Sequence, residues 1–209
     1  MKPTLALRKV CQLKKRIWTI QGGQGAGKTI SILIVLINHA SSNKDKQIFI
    51  CSKELTKMRI TVIKDFVMVM KSLGVYDDNN FTADTLYRFK SGSFIKFIGL
   101  DKEDIGKGLR SDIVYINEAN KVSFEAYREL TTRAKRVILD FNPNGQFWAH
   151  DEVINRPDCD FLTLTYLDNE FCPPSEIAEI LLNKSRAFID PNLPKIRYTI
   201  KHQVRVLAQ

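Results

Sequence analysis

Short apolar runs alternate along this chain with longer amphipathic ones, and the spacing predicts alternating strands and helices. Ile17-Trp18-Thr19-Ile20 is apolar and β-prone, and Ile30 to Ala40 is apolar over a length that suits a buried helix. Gln47 to Cys51 reads as a buried strand. Glu54 to Leu73 reads as one amphipathic helix, stopped by Gly74 at a C-cap position. Phe81 to Phe89 and Phe94 to Ile98 flank Lys90-Ser91-Gly92-Ser93 as a hairpin. Asp101 to Arg110 is polar and reads as a loop. Asp112 to Asn117 is a strand, Ser123 to Ala134 a helix, and Arg136 to Phe141 a strand that ends in the turn Asn142-Pro143-Asn144-Gly145. A helix from Gln146, a strand near Phe161 to Thr165 and a helix from Pro174 to about Phe188 complete the body. The class this predicts is α/β, with a mainly parallel central sheet covered by helices on both faces.

Between the first strand and the first long helix lies Gly22-Gly23-Gln24-Gly25-Ala26-Gly27-Lys28-Thr29, which fits the phosphate-binding pattern G-x-x-x-x-G-K-[ST] without a mismatch. Glycines let backbone N–H groups turn inward around a phosphate where side chains would obstruct it. Lys28 adds a charge that reaches the β- and γ-phosphates, and the Thr29 hydroxyl can ligate the accompanying magnesium ion. A strand before the loop and a helix after it put a helix N-terminus behind the anion as well.

Asp112-Ile113-Val114-Tyr115-Ile116-Asn117-Glu118 narrows the class of nucleotide enzyme. A buried strand that ends in an acidic pair holds magnesium through water with its first carboxylate and activates the attacking water with its second. Glu118 is the expected general base. Asn117 stands where the first carboxylate belongs, so it can hydrogen-bond a metal-bound water but brings no charge. Asp112 is too far down the strand to replace it. Asn142, at the tip of the following strand, is the candidate for sensing the γ-phosphate, with Pro143 stiffening the turn.

Composition limits the setting. The longest apolar run, Ile32 to Ile37, is far short of a membrane span, and no secretory leader pattern opens the chain. Cys11, Cys51, Cys159 and Cys172 show no paired metal-site spacing and read as reduced thiols. The net charge is +9 over 209 residues. No acid precedes Asp45, and six basic side chains face one acid, Asp190, from Lys184 onward. Such a field suits a polyanion, although a generally basic protein whose only anion is a nucleotide is equally consistent with it.

The order GGQGAGKT, then GLDKEDIGKGLRSDIVYINEA, RELTTRAKRVILDFNPN and TYLDNEFCPPSEI resembles the ATPase domain of phage large terminase subunits, over roughly residues 17–180. The resemblance implies a RecA-like, additional-strand P-loop NTPase that uses ATP and Mg2+ to drive double-stranded DNA into a procapsid. It also implies a ring on the portal protein, a small terminase subunit as partner, and the cytoplasm of the bacterial host as location. The isolated domain could be monomeric. Residues 1–190 would form the ATPase domain, and residues 191–209 a basic tail or the start of a linker. Family members often carry an arginine in the phosphate loop. Gln24 stands there instead, so Arg110, or failing that Arg133, is expected to supply a guanidinium, to its own or to a neighbouring subunit. Gln12, upstream of the loop, is a weaker candidate for contact with adenine. The carboxylate set of the family's nuclease is missing after Glu170, so no nuclease activity is expected. A helicase-like nucleic-acid ATPase and an assembly module that binds nucleotide without turning it over both stay open.

Overall fold

The computed structural model describes residues 3–101 and 110–189. Its centre is a seven-stranded sheet in the order β3-β4-β2-β5-β6-β1-β7. The strands are β1 (Ile17–Gly22), β2 (Gln47–Ser52), β3 (Leu86–Arg88), β4 (Phe94–Gly99), β5 (Ser111–Ile116), β6 (Ala134–Phe141) and β7 (Cys159–Leu164). Every pairing is parallel except that of β3 with β4. β6 is inserted between the phosphate-loop strand β1 and the acidic strand β5, which is the additional-strand arrangement that the resemblance implies.

Side chains alternate between the two faces of each strand, and the core divides accordingly. Trp18 and Ile20 of β1, Tyr115 of β5 and Ile138 of β6 pack on one side with α1 (Leu5–Cys11), α2 (Lys28–Ser42), α3 (Leu55–Ile60) and α4 (Val62–Ser72). Ile17, Val114, Ile116, Val137 and Leu139 point to the other side, against α5 (Phe124–Thr131) and α6 (Trp148–Glu152). A last helix, α7 (Pro174–Ile189), follows β7.

Several elements differ from the sequence pattern. The helix expected from Glu54 to Leu73 is two helices, broken at Thr61, whose backbone leaves the helical region (φ −119°, ψ −95°). The break lets Met58 of α3 and Ile63 and Phe66 of α4 all reach the core. The first arm of the expected hairpin shrinks to the three residues of β3, preceded by a 3-10 turn at Asp78–Asn80. α1 is an element the pattern did not signal; the Thr4 side chain caps it by accepting from the Leu7 N–H. The expected basic tail or linker, residues 191–209, lies outside the described residues, as does most of the loop from Asp101 to Arg110.

Candidate functional site

The phosphate loop runs from the end of β1 into α2 with two residues in the left-handed region, Gly25 and Gly27, each at φ +72°. Gly27 is the N-cap of α2, so the helix N-terminus opens onto the loop. Gly22 is required for a different reason: a Cβ there would lie 2.6 Å from the Leu164 carbonyl oxygen of β7.

Lys28 is the first residue of α2 and is almost fully buried. Its Nζ donates to the Gly22 carbonyl (2.7 Å), the Gly23 carbonyl (3.1 Å) and Asn142 Oδ1 (2.9 Å). Burial pulls its pKa below the ordinary lysine value, opposed by the nearby carboxylates of Asp140 and Glu118. Asn142 at the tip of β6 is therefore in direct contact with the lysine that would hold the phosphates.

Glu118 follows β5 in a left-handed conformation (φ 53°, ψ 50°), uncommon for a side chain of this size. Two backbone bonds hold it there: its N–H donates to Asp140 Oδ1 at 3.1 Å, and its carbonyl accepts from the Lys121 N–H at 2.8 Å. Its carboxylate is paired with Lys121 Nζ at 2.7 Å and stays partly exposed. Lys28, Thr29, Asn117, Glu118, Asp140 and Asn142 border one cleft of about 190 Å³, rimmed on its far side by the break between α3 and α4.

Asp140 is the member of this group that sequence reasoning missed. It lies inside β6, 3% exposed, and its Oδ1 accepts from the Tyr115 hydroxyl, from Asn117 Nδ2 and from the Glu118 N–H. A lone acid in the apolar run Val137-Ile138-Leu139-Asp140-Phe141 was the signal available. Burial raises its pKa above the ordinary carboxylate value, while Lys28 and the three donors pull the other way.

The segment Thr165 to Cys172 braces the loop. Asn169 Nδ2 donates to the Gly25 carbonyl at 2.8 Å, and the Cys172 sulfur packs against the same glycine. Asp168 pairs with Lys9 at 2.7 Å, and the Glu170 carboxylate accepts from the Leu5 N–H at the start of α1. Gln12 closes α1 as its C-cap.

Arg110 and Arg133 are elsewhere. Arg110 precedes β5 and Arg133 precedes β6, whereas Glu118 and Asn142 follow those strands. The six residues of β5 and the eight of β6, at about 3.3 Å each, separate the two ends by roughly 20 Å or more. At the far edge both arginines border a basic recess of about 500 Å³ with Ser111, Asp112 and Lys135. Asp112 there is ion-paired with Lys135.

The residues present suit a magnesium ion, which takes oxygen ligands and keeps several waters. The Thr29 hydroxyl, Asn117 and two carboxylates meet at the cleft, and among the described residues no cluster of three His, Cys, Asp or Glu offers a competing site.

The family described as phage terminase large subunit matches residues 14–200. The large terminase of a thermophilic bacteriophage superposes with a TM-score of 0.75 at 19% identity, over 86% of this chain and 50% of that one. The same terminase has been solved with ADP and with ATP-γ-S. The ATPase domain of the Thermus phage P74-26 large terminase gives 0.63 at 13% identity, over 94% and 91%. The HK97 bacteriophage large terminase gives 0.60 at 12%, over 87% and 45%. This chain thus spans about half the length of the first and last of these and nearly all of the isolated ATPase domain. Among curated proteins none matches.

Proposed function

Because this chain belongs to the phage terminase large-subunit family, we propose that it is the ATP-hydrolysing motor domain of a terminase that moves double-stranded DNA into a procapsid. One observation carries the reading: the phosphate loop, the general-base candidate Glu118 and the γ-phosphate-sensor candidate Asn142 border a single cleft at the N-terminus of α2. Lys28 gives up its bonds to the Gly22 and Gly23 carbonyls to take phosphate oxygens, and its contact with Asn142 makes that exchange visible at the tip of β6. Asn142 is thus the residue that reports the γ-phosphate. Glu118 accepts a proton from the water that attacks the γ-phosphorus, once it leaves Lys121. Thr29 and Asn117, which border the cleft, would hold a Mg2+ ion, and that ion would supply positive charge against the developing negative charge of the phosphates.

Arg110 and Arg133 lie too far away to serve the cleft of their own subunit. Either acts only on a neighbour's phosphates, across a head-to-tail contact that a ring would supply. DNA is held by Lys/Arg contacts to backbone phosphates, blind to sequence and steeply salt-dependent. The portal protein and a small terminase subunit are the partners of the assembled motor, and the host cytoplasm is its location. Residues 1–190 make up the ATPase domain, and residues 191–209 are a basic tail or the start of a linker.

The test is Mg2+-dependent ATP hydrolysis across protein concentration, beside Glu118→Gln. Turnover that rises faster than linearly and is lost in the variant supports the reading; undiminished turnover in the variant removes Glu118 from its role. A second reading, an assembly module that binds ATP without hydrolysing it, is favoured by the Glu118–Lys121 pair and by the uncharged Asn117. It predicts tight ATP binding with no turnover at any concentration.

A further inference from the structure

The acidic strand of this chain delivers an amide, Asn117, where a nucleotide-hydrolysing site ordinarily has a carboxylate. The missing charge has a counterpart one strand away. β5 and β6 are in parallel register, with Tyr115 beside Ile138 and Ile116 beside Leu139. Continuing that register by one residue sets Asn117 beside Asp140. Both belong to the same face of the sheet as Tyr115, the face that α2 covers.

The contacts bear this out: Asn117 Nδ2 donates to Asp140 Oδ1 at 3.0 Å, and the Tyr115 hydroxyl and the Glu118 N–H converge on the same oxygen at 3.1 Å each. Among the described residues no hydrogen bond is made to Oδ2, while Asp140 borders the cleft beside Lys28 and Thr29. Three donors on one oxygen lock the carboxylate's rotation and aim the other oxygen. An acid this deeply buried in an apolar strand needs a reason, and its nearby cation is the phosphate-loop lysine.

We propose that Asp140 is a positioning residue that restores the negative charge absent at Asn117, orienting the water shell of the magnesium ion through Oδ2 while Asn117 serves as its hydrogen-bonded spacer. The site would then read the metal with a carboxylate carried on the inserted strand and not on the acidic strand. Asp140 also touches the Glu118 N–H, so the same group fixes the backbone from which the general base projects. This inference rests on the nucleotide-site reading given above.

A purely structural role for Asp140, as a counter-charge for Lys28 or an anchor for Tyr115, predicts lost stability without any change specific to the metal. The experiment therefore measures ATP affinity calorimetrically with Mg2+ and with EDTA, for the parent chain, Asp140→Asn and the exchanged pair Asn117→Asp/Asp140→Asn. The expected result is that Asp140→Asn retains its affinity in EDTA and loses about 10–100-fold of the tightening that Mg2+ confers, the usual effect of removing a group that orients a metal's ligands. The exchanged pair, with one carboxylate and one amide in swapped places, regains most of that tightening. It also keeps the test open if Asp140→Asn alone melts too low to study. Asn117→Asp by itself is not informative, because two touching buried carboxylates cannot both ionise. A parent-like Mg2+ response in Asp140→Asn, or no recovery in the exchanged pair, overturns the inference alone. Failure of the parent chain to bind ATP under either condition overturns the nucleotide-site reading along with it.

Discussion

Gly22 and Gly23 are adjacent in the phosphate loop, yet adding one methyl group to each should have unequal consequences. At Gly23 a Cβ meets nothing within 4 Å. At Gly22 it would stand 2.6 Å from the Leu164 carbonyl oxygen, 3.1 Å from Lys28 Cδ and 3.2 Å from Ala26 Cβ. Ordinary contact begins near 3.4 Å, so the gap to Leu164 must open by 3.4 − 2.6 = 0.8 Å. That oxygen cannot rotate away, since Gly22 and Leu164 are partners in the β1–β7 pairing. Overpacking of this kind costs about 1–3 kcal/mol. β7 is an edge strand and can yield, which favours the lower half of that range. For a chain of this size, about 2–4 °C of melting temperature per kcal/mol converts that lower half, about 1–2 kcal/mol, to a fall of about 2–8 °C. Thermal melts of Gly22→Ala, Gly23→Ala and the parent, without nucleotide, make the comparison. Equal melting temperatures for the two variants, or a larger fall for Gly23→Ala, would refute the close approach of β1 and β7 on which the estimate depends.

Four other outcomes are expected. Lys28→Ala should weaken ATP binding by at least about tenfold, the scale of a lost charge-assisted bond; retained tight binding by calorimetry would remove the loop from its role. Asn169→Ala removes the 2.8 Å bond to the Gly25 carbonyl and should cost about 0.5–1.5 kcal/mol in urea unfolding. The ion pairs of Asp158 with Arg156 and Arg16 lower its pKa from 3.8 to about 2. Its contribution is therefore complete above pH 3.8 and disappears as the pH falls through about 2. These partners are partly exposed, so Asp158→Asn should cost less than about 1 kcal/mol at pH 7 and nothing at the acid end. Burial pushes the Cys51 thiol up to about 12, whereas Cys11 is exposed. Iodoacetamide at neutral pH should label Cys11 and spare Cys51 until the chain is denatured, read by peptide mass mapping.

Most strands of the sheet were legible because a buried parallel strand is a nearly unbroken apolar run, and the phosphate loop because its backbone conformation demands a particular sequence. The break at Thr61 was not, since the apolar period runs through it; it turns the chain from α3, which packs on β4, to α4, which packs on α2. α1 buries only Ala6 and Val10, too few positions to make a period. Asp140 looked like an interruption in a strand until β6 was paired with β5, because its partners Tyr115 and Asn117 are more than twenty residues away in sequence. For the arginines, proximity in sequence was misleading in another way. A residue just before a strand and one just after it are near in number, but the strand carries them to opposite edges of the sheet.

The brace formed by Thr165 to Cys172 joins parts of the chain that lie beyond the ends of the paired strands β1 and β7. Its residues grip in two directions: Asn169 and Cys172 hold the phosphate loop at Gly25, while Asp168 and Glu170 hold α1 at Lys9 and Leu5. α7 begins at Pro174, two residues beyond the last of these grips. Displacing the loop at Gly25 strains a knot from which both α1 and α7 are hung. The first and last of the described helices and the left-handed turn of the phosphate loop thus have a common mechanical root.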